Sequence, residues 1–268
     1  MKRSSNREKI DAMPADERLA RARQATSKLV RLFVTLVHLH ASKEHVAHSD
    51  LLSRQIPASF AATAFNLLQW VYIESALLRS IVMWDEVDPD KNSIPTVVYL
   101  IDHSAVRKLA LEEAHSKSMA APPARRVRAP VGEPAEDREA IRKILDSSRV
   151  ADARMDRAAT RSQLAEARRR ANMLASRRRL ASMRNFRDKF LAHSIEKTWA
   201  EKTRAAQKRP LPLVSHGDDV WLLDHTQKIL DLLHSALNGV QFPWSEIRNE
   251  AKQSADSLWT GVTIEARE

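Results

Sequence analysis

Arg184-Asn185-Phe186-Arg187-Asp188-Lys189-Phe190-Leu191-Ala192-His193-Ser194 combines helical apolar spacing with side chains suited to a phosphate. Phe186 and Phe190 lie four apart and share a helix face. Arg187 offers a planar fork of donors that fits phosphate oxygens. His193 can move a proton near neutral pH. These two groups suffice for metal-free cleavage of RNA, whose 2′-hydroxyl supplies its own nucleophile. Six residues span about 600° at helical pitch, so a regular helix would point Arg187 and His193 in different directions. The pair can act together only if the helix ends or distorts before His193, or if two chains face each other.

Outward from this string the pattern is helical in both directions. Upstream, an apolar stripe begins at Ile141, Ile144 and Leu145 and continues through Leu164, Ala167, Ala171, Leu174 and Met183. It predicts a long basic helix from about Asp137 toward His193, either a protruding arm or a helix broken near Ser147-Ser148 or Ser176. Residues 118–136, with four prolines and no periodicity, predict a flexible Pro/Ala/Arg linker. Before it, one helix is expected from Pro14 to His48, with Leu29, Leu32, Phe33, Leu36, Val37 and Leu39 as its apolar face, and a second from Pro57 to Trp84. The second has Phe60, Ala64, Leu67, Leu68, Val71, Ser75, Leu78 and Val82 as its apolar face. Ser93 reads as the N-cap of a third helix, with Pro95 in its first turn, reaching about Lys117. After a polar loop at Arg209–Pro212, Asp218–Asn238 predicts a helix ended by Gly239, and Ser245–Trp259 a last one. The organisation is therefore 12–117 as N-terminal helices, 118–136 as linker, and 137–260 as the basic helix plus C-terminal helices, the two sides packing as one domain.

Composition supports an all-α fold. The 268 residues include only four glycines and 5% aromatics. There is no cysteine, so there is no disulfide framework or thiolate metal site. No apolar run reaches the roughly 18 residues of a membrane helix. The basic start, Met1 to Arg7, is not followed by the apolar stretch of a signal peptide. A cytoplasmic protein without membrane or cofactor is expected. Residues 138–209 hold 21 Lys and Arg against 8 Asp and Glu, a net +13, so the remainder carries −3 of the total +10. Such a stripe suits RNA phosphates. It is also what a solvated helix face or an acid-binding face looks like. The candidate RNA-binding residues are Arg168, Arg169, Arg170, Arg177, Arg178, Arg179, Arg184, Lys189 and Ser194.

The Arg187/His193 spacing alone is common in a chain with 30 arginines and 10 histidines. The whole string Arg-Asp-Lys-Phe-Leu-Ala-His-Ser, residues 187–194, resembles the signature of the HEPN superfamily, and most closely its abortive-infection AbiU branch. Weaker similarity runs through Ala76–Asp85 and the Asp88–Ser93 turn. Asp188 stands where asparagine is commoner, which adds a negative charge beside the phosphate site. The resemblance implies a HEPN-like helical bundle and a homodimer that brings two motifs into one cleft. It also implies a metal-independent endoribonuclease acting as a toxin or phage-defence effector, with an antitoxin or regulatory partner. Arg187, Asp188 and His193 would be its catalytic residues. Some toxins of the superfamily carry a tyrosine two residues after the histidine, the target of a modifying antitoxin; here Ile195 occupies that position. The alternative reading is a non-catalytic RNA-binding or protein-assembly module that keeps the fold.

Two other clusters are weaker. His38, His40, His45 and His48 follow a spacing that could hold zinc, but they also suit a helix C-terminus, where the dipole favours cations. Asp85, Asp88, Asp90 and Asn92 lack the glycine and terminal glutamate of a calcium loop and read as a helix-ending turn. The six tryptophans are scattered, as core or interface anchors are.

Overall fold

A computed structural model of the chain describes residues 2–48, 50–56, 60–120, 135–192, 198, 201, 203, 211–215 and 217–262. Among them there are helices and no strand. Helix α1 spans Lys2–Asp11, α2 Ala15–His48, α3 Asp50–Gln55, α4 Phe60–Val82, α5 Ile94–Ile101 and α6 Ser104–Ala120. Helix α7 spans Ala135–Ala175 and α8 Arg178–Phe186, followed by a π-helix at Arg187–Ala192. Helices α9, Asp218–Asn238, and α10, Trp244–Trp259, complete the bundle.

Helix α2 is the central element. Leu19, Ala22, Leu29, Phe33 and Leu36 recur at helical spacing and are fully or almost fully buried. Around it pack α4, α5, α6, α9 and α10. Asp16 and Glu17 sit in its first turn, at the positive end of its dipole. Helix α1 was not legible as a helix. It is held by Arg18, whose Nε donates to the Ile10 carbonyl at 2.8 Å and whose Nη2 meets Asp11 at 2.7 Å. Buried side chains from both sides of residues 121–134 belong to one contiguous cluster, from Ile10 to Ala251.

The helix expected from Ser93 to Lys117 is two helices. Ser93 is the N-cap as predicted, its hydroxyl accepting from the Thr96 N–H. The break comes at Asp102-His103. Helix α5 is buried nearly all round through Ile94, Val97, Val98, Leu100 and Ile101, and packs against both α2 and α7. Helix α6 buries only Val106, Ala110 and Leu111 and lies along α7. Both helices touch α2 and α7, α5 chiefly α2 and α6 chiefly α7. Arg107 and Arg168 both reach Asp102 at the bend.

Helix α7 is about 62 Å long at 1.5 Å per residue. Its stripe is buried at Ala153, Leu164, Ala167, Ala171 and Leu174, while Ile144 is exposed. The break falls at Ser176-Arg177, one of the two positions expected, with Arg177 in an extended conformation. Gly239 ends α9 at φ 71°, its N–H donating to the Ser235 carbonyl. The Trp84 indole, fully buried, donates from Nε1 to Thr226 Oγ1 at 2.8 Å. That bond ties the end of α4 to α9 and fixes the floor on which the motif rests. On helix α4, Leu67, Trp70 and Val71 are 65%, 58% and 49% exposed, so this part of its apolar face is left uncovered among the described residues. No helix among the described residues is long and apolar enough to cross a membrane.

Candidate functional site

The motif begins where α8 changes character. Arg187–Ala192 forms a π-helix, whose i→i+5 bonds turn the chain less per residue than an α-helix. The helix distorts before His193, one of the two conditions under which the spacing lets Arg187 and His193 act together, the other being two chains face to face. His193 and Ser194 themselves lie outside the described residues. No glycine or proline marks the π-turn.

Arg187 is held by two carboxylates. Nη1 donates to Asp85 Oδ1, Nε donates to Asp188 Oδ1 at 2.9 Å, and Nη2 lies 2.8 Å from the same oxygen. Burial works against its charge, but the hydrogen bonds to Asp188 and Asp85 outweigh that and raise its pKa above the ordinary arginine value. A guanidinium carries five N–H donors, so at least two remain for a ligand after these contacts. Asp85 also pairs with Lys91 at 3.0 Å. It is the residue that sequence reading missed, having been taken only as part of a helix-ending turn. The signal was the weak similarity over Ala76–Asp85.

Arg184 points inward. Its Nη2 donates to the Trp84 carbonyl, Nε has no hydrogen-bond partner among the described residues, and burial lowers its pKa. Lys189 pairs with Glu201 at 3.3 Å. Glu201 also accepts from Asn185 Nδ2 at 2.9 Å and from the Thr198 N–H at 3.1 Å. In return the Glu201 N–H donates to Thr198 Oγ1 at 3.1 Å, a reciprocal capping box. Thr198 Oγ1 donates to Asn185 Oδ1 as well. The Asn185 bond, ahead of the others, holds the Glu201 carboxyl below its usual range despite some burial. Thr198 thus sits against α8 six residues after Ala192.

The other candidate cations are elsewhere, at the corner of α7 and α8. Arg168 bonds Asp102. Arg169 and Arg170 both grip Glu166, at 2.6–2.7 Å, and their hydrogen bonds pull its pKa down to about 2. Arg179 bonds Asp218 and covers the Trp221 ring at 4.6 Å. Arg177 and Arg178 are exposed, with no ion pair among the described residues.

The histidines are separated. His40 is buried 3.7 Å from Asp219, and its pKa falls to about 4, through burial first and Lys43 second. His45 pairs with Asp256 at 2.7 Å. The His48 side chain lies outside the described residues. Among the described residues no group of three His, Cys, Asp or Glu could hold a metal. The Asp85–Ser93 turn is instead knitted by Arg21, which donates to the Pro89 and Lys91 carbonyls and to Asn92 Oδ1.

Comparison with curated proteins and with solved structures gave no match. The HEPN family model described as AbiU2 matches residues 16–258, from the start of α2 to the end of α10 and across the motif. The all-α bundle, the π-turn motif and that match agree: the chain belongs to the HEPN AbiU2 family.

Proposed function

We propose that this protein is a metal-independent endoribonuclease, acting as a toxin or phage-defence effector. The observation that carries the reading is the clamped Arg187, oriented by Asp85 and Asp188 at a π-turn that ends one residue before His193. The 2′-oxygen attacks phosphorus, forming one P–O bond as the bond to the 5′-oxygen breaks. His193 takes the 2′-hydroxyl proton or supplies one to the departing 5′-oxygen. The spare N–H donors of Arg187 stabilise the charge building on the phosphoryl oxygens. The products are a 2′,3′-cyclic phosphate and a 5′-hydroxyl.

The active form is a homodimer. The face of α4 left uncovered among the described residues supports this, because Trp70, Ile73 and Leu77 share a cleft with Phe186, directly before the motif. Exposed apolar side chains grouped on one face mark an interaction surface, and a second copy covering them would place two 184–194 segments side by side. One observation favours the non-catalytic alternative. Two carboxylates neutralise Arg187, as they would in a purely structural ion pair.

Incubating the protein with total RNA in EDTA separates the two readings. The nuclease leaves cyclic-phosphate ends, and His193→Ala loses about 10²–10⁴ in rate with RNA affinity kept. Binding without cleavage, or equal cleavage by His193→Ala, refutes it.

A further inference from the structure

The corner where α7 breaks into α8 faces α9 across a groove of about 990 Å³. Its walls carry Arg169 and Arg170 from α7, Arg177 and Arg178 at the break, and Trp221, His225 and Lys228 from α9. None of its lining residues is acidic. Three carboxylates close to these residues in sequence are already engaged: Glu166 by Arg169 and Arg170, Asp218 by Arg179, and Asp224 by Arg248 at 3.0 Å. Arg177, Arg178 and Lys228 are exposed and have no ion pair among the described residues. This is the reverse of the motif, where the arginine is compensated.

The aromatic part of the groove narrows the ligand. Trp221 and His225 lie one helical turn apart on α9, with ring centroids 4.9 Å apart and planes tilted by 43°. Arg179 covers the Trp221 ring at 4.6 Å. His225 Nδ1 lies 2.9 Å from the Trp221 carbonyl oxygen. A carbonyl only accepts, so Nδ1 carries the hydrogen and Nε2 is left for a ligand. Guanidinium forks match phosphates, and an aromatic platform matches an unpaired base. A duplex keeps its bases stacked inside and cannot use the platform. An acidic peptide would use the cations and leave the rings idle.

We propose that this groove anchors the single-stranded RNA flanking the cleaved bond, with phosphates on Arg177, Arg178 and Lys228 and a base on the Trp221–His225 platform. The assignment rests on the reading of the chain as a protein that acts on RNA. Helix α8 separates the groove from Arg187 by about 13 Å, its nine residues at 1.5 Å each. The anchor therefore holds nucleotides beyond the reacting phosphate and selects unpaired substrate.

The test is fluorescence anisotropy with the full chain and a labelled single-stranded oligonucleotide whose 2′-oxygens are methylated, so that it cannot be cleaved. Arg177→Glu and Lys228→Glu each weaken binding and lower the slope of log affinity against log salt by about one. Trp221→Leu weakens single-strand binding by about fivefold to a hundredfold and leaves binding of the matching duplex unchanged. Arg177 and Lys228 are exposed, so their variants stay informative if Trp221→Leu misfolds. Wild-type affinity in both charge variants overturns the proposal, as does equal competition by polyglutamate of the same charge. Cleavage of unmodified RNA in EDTA is read separately. Groove-dependent binding without cleavage supports the anchor and sinks the nuclease. Cleavage with groove variants that bind normally sinks the anchor and leaves the nuclease standing.

Discussion

Replacing Asp85 with asparagine tests whether the carboxylate clamp on Arg187 matters. The substitution keeps an oxygen acceptor for Nη1 and removes the charge. The two side chains are only 22% and 15% exposed, so water screens their attraction weakly. The bond that remains still has the charged arginine as its donor, so what is lost is the attraction of the carboxylate's charge, about 1 kcal/mol for a partly exposed ion pair. The exchange does not orphan the arginine, because Asp188 still accepts from Nε at 2.9 Å. Catalysis suffers more than folding. With one clamp weakened, the guanidinium pivots toward Asp188, and a displacement of about 1 Å can cost about 10²-fold in rate. Urea unfolding reads the first effect as a lower midpoint at unchanged slope. Single-turnover cleavage of a labelled RNA reads the second, and a double-mutant cycle with Arg187→Met isolates the coupling of the pair. A variant with the wild-type midpoint and the wild-type rate would show that the clamp contributes to neither.

Asp188→Asn removes a negative charge beside the phosphate site; at about 6 Å in a largely solvated setting this is worth about 1 kcal/mol, so RNA affinity rises about fivefold, and a filter-binding titration with no gain refutes it. Glu201→Ala unties Thr198, Asn185 and Lys189 together and lowers the saturated cleavage rate while the melting temperature moves only a few degrees, since the cluster lies at the edge of the bundle; an unchanged rate would show that the tie does not position the motif. His40 makes stability depend on pH. Its folded pKa of about 4 lies below the unfolded value of 6.5, so the unfolded chain binds the proton first, and about 3 kcal/mol present above pH 6.5 is lost as pH falls toward 4. Unfolding midpoints measured between pH 4 and 7 should lose most of that slope in His40→Gln; a wild-type slope in the variant would place the effect elsewhere.

The all-α class was legible because burial follows helical spacing. Leu29, Phe33 and Leu36 in α2, and Leu164, Ala167, Ala171 and Leu174 in α7, are the buried positions that periodicity named. Caps were legible for the same local reason: Ser93 and Gly239 act through their own backbone. The split between α5 and α6 was not, because it depends on where α2 and α7 lie. Spacing gave the apolar face of α4 but not what covers it: Leu67 and Val71 stand exposed among the described residues, because an apolar face says that it needs a partner and not where the partner lies. At the motif, the need for a distortion followed from angular arithmetic alone. The clamp did not, since Asp85 is 102 residues from Arg187 and no local pattern joins them. The tie from Asn185 to Thr198 and Glu201 left a local trace, the Thr-x-x-Glu spacing of a capping box, which the sequence reading passed over.

The positive charge of residues 138–209 is not one stripe once its partners are counted. Arg168, Arg169, Arg170, Arg179, Arg184, Arg187 and Lys189 are each engaged by a carboxylate or a carbonyl within the fold. Arg177, Arg178 and, on α9, Lys228 stand exposed without such a partner among the described residues, as do Arg142, Arg154, Arg157 and Arg161 earlier on α7. A cation already paired releases few counterions when a phosphate arrives, whereas an unpaired one releases its share in full. On the proposed reading, affinity and its salt dependence therefore belong to these unpaired cations, of which the corner of α7, α8 and α9 gathers Arg177, Arg178 and Lys228 in one groove. On the proposed reading, the clamped arginine is left to act on the phosphate through geometry. A group fixed by Asp85 and Asp188 would give little to ground-state binding, and its spare donors would already be aimed when charge develops on the phosphoryl oxygens.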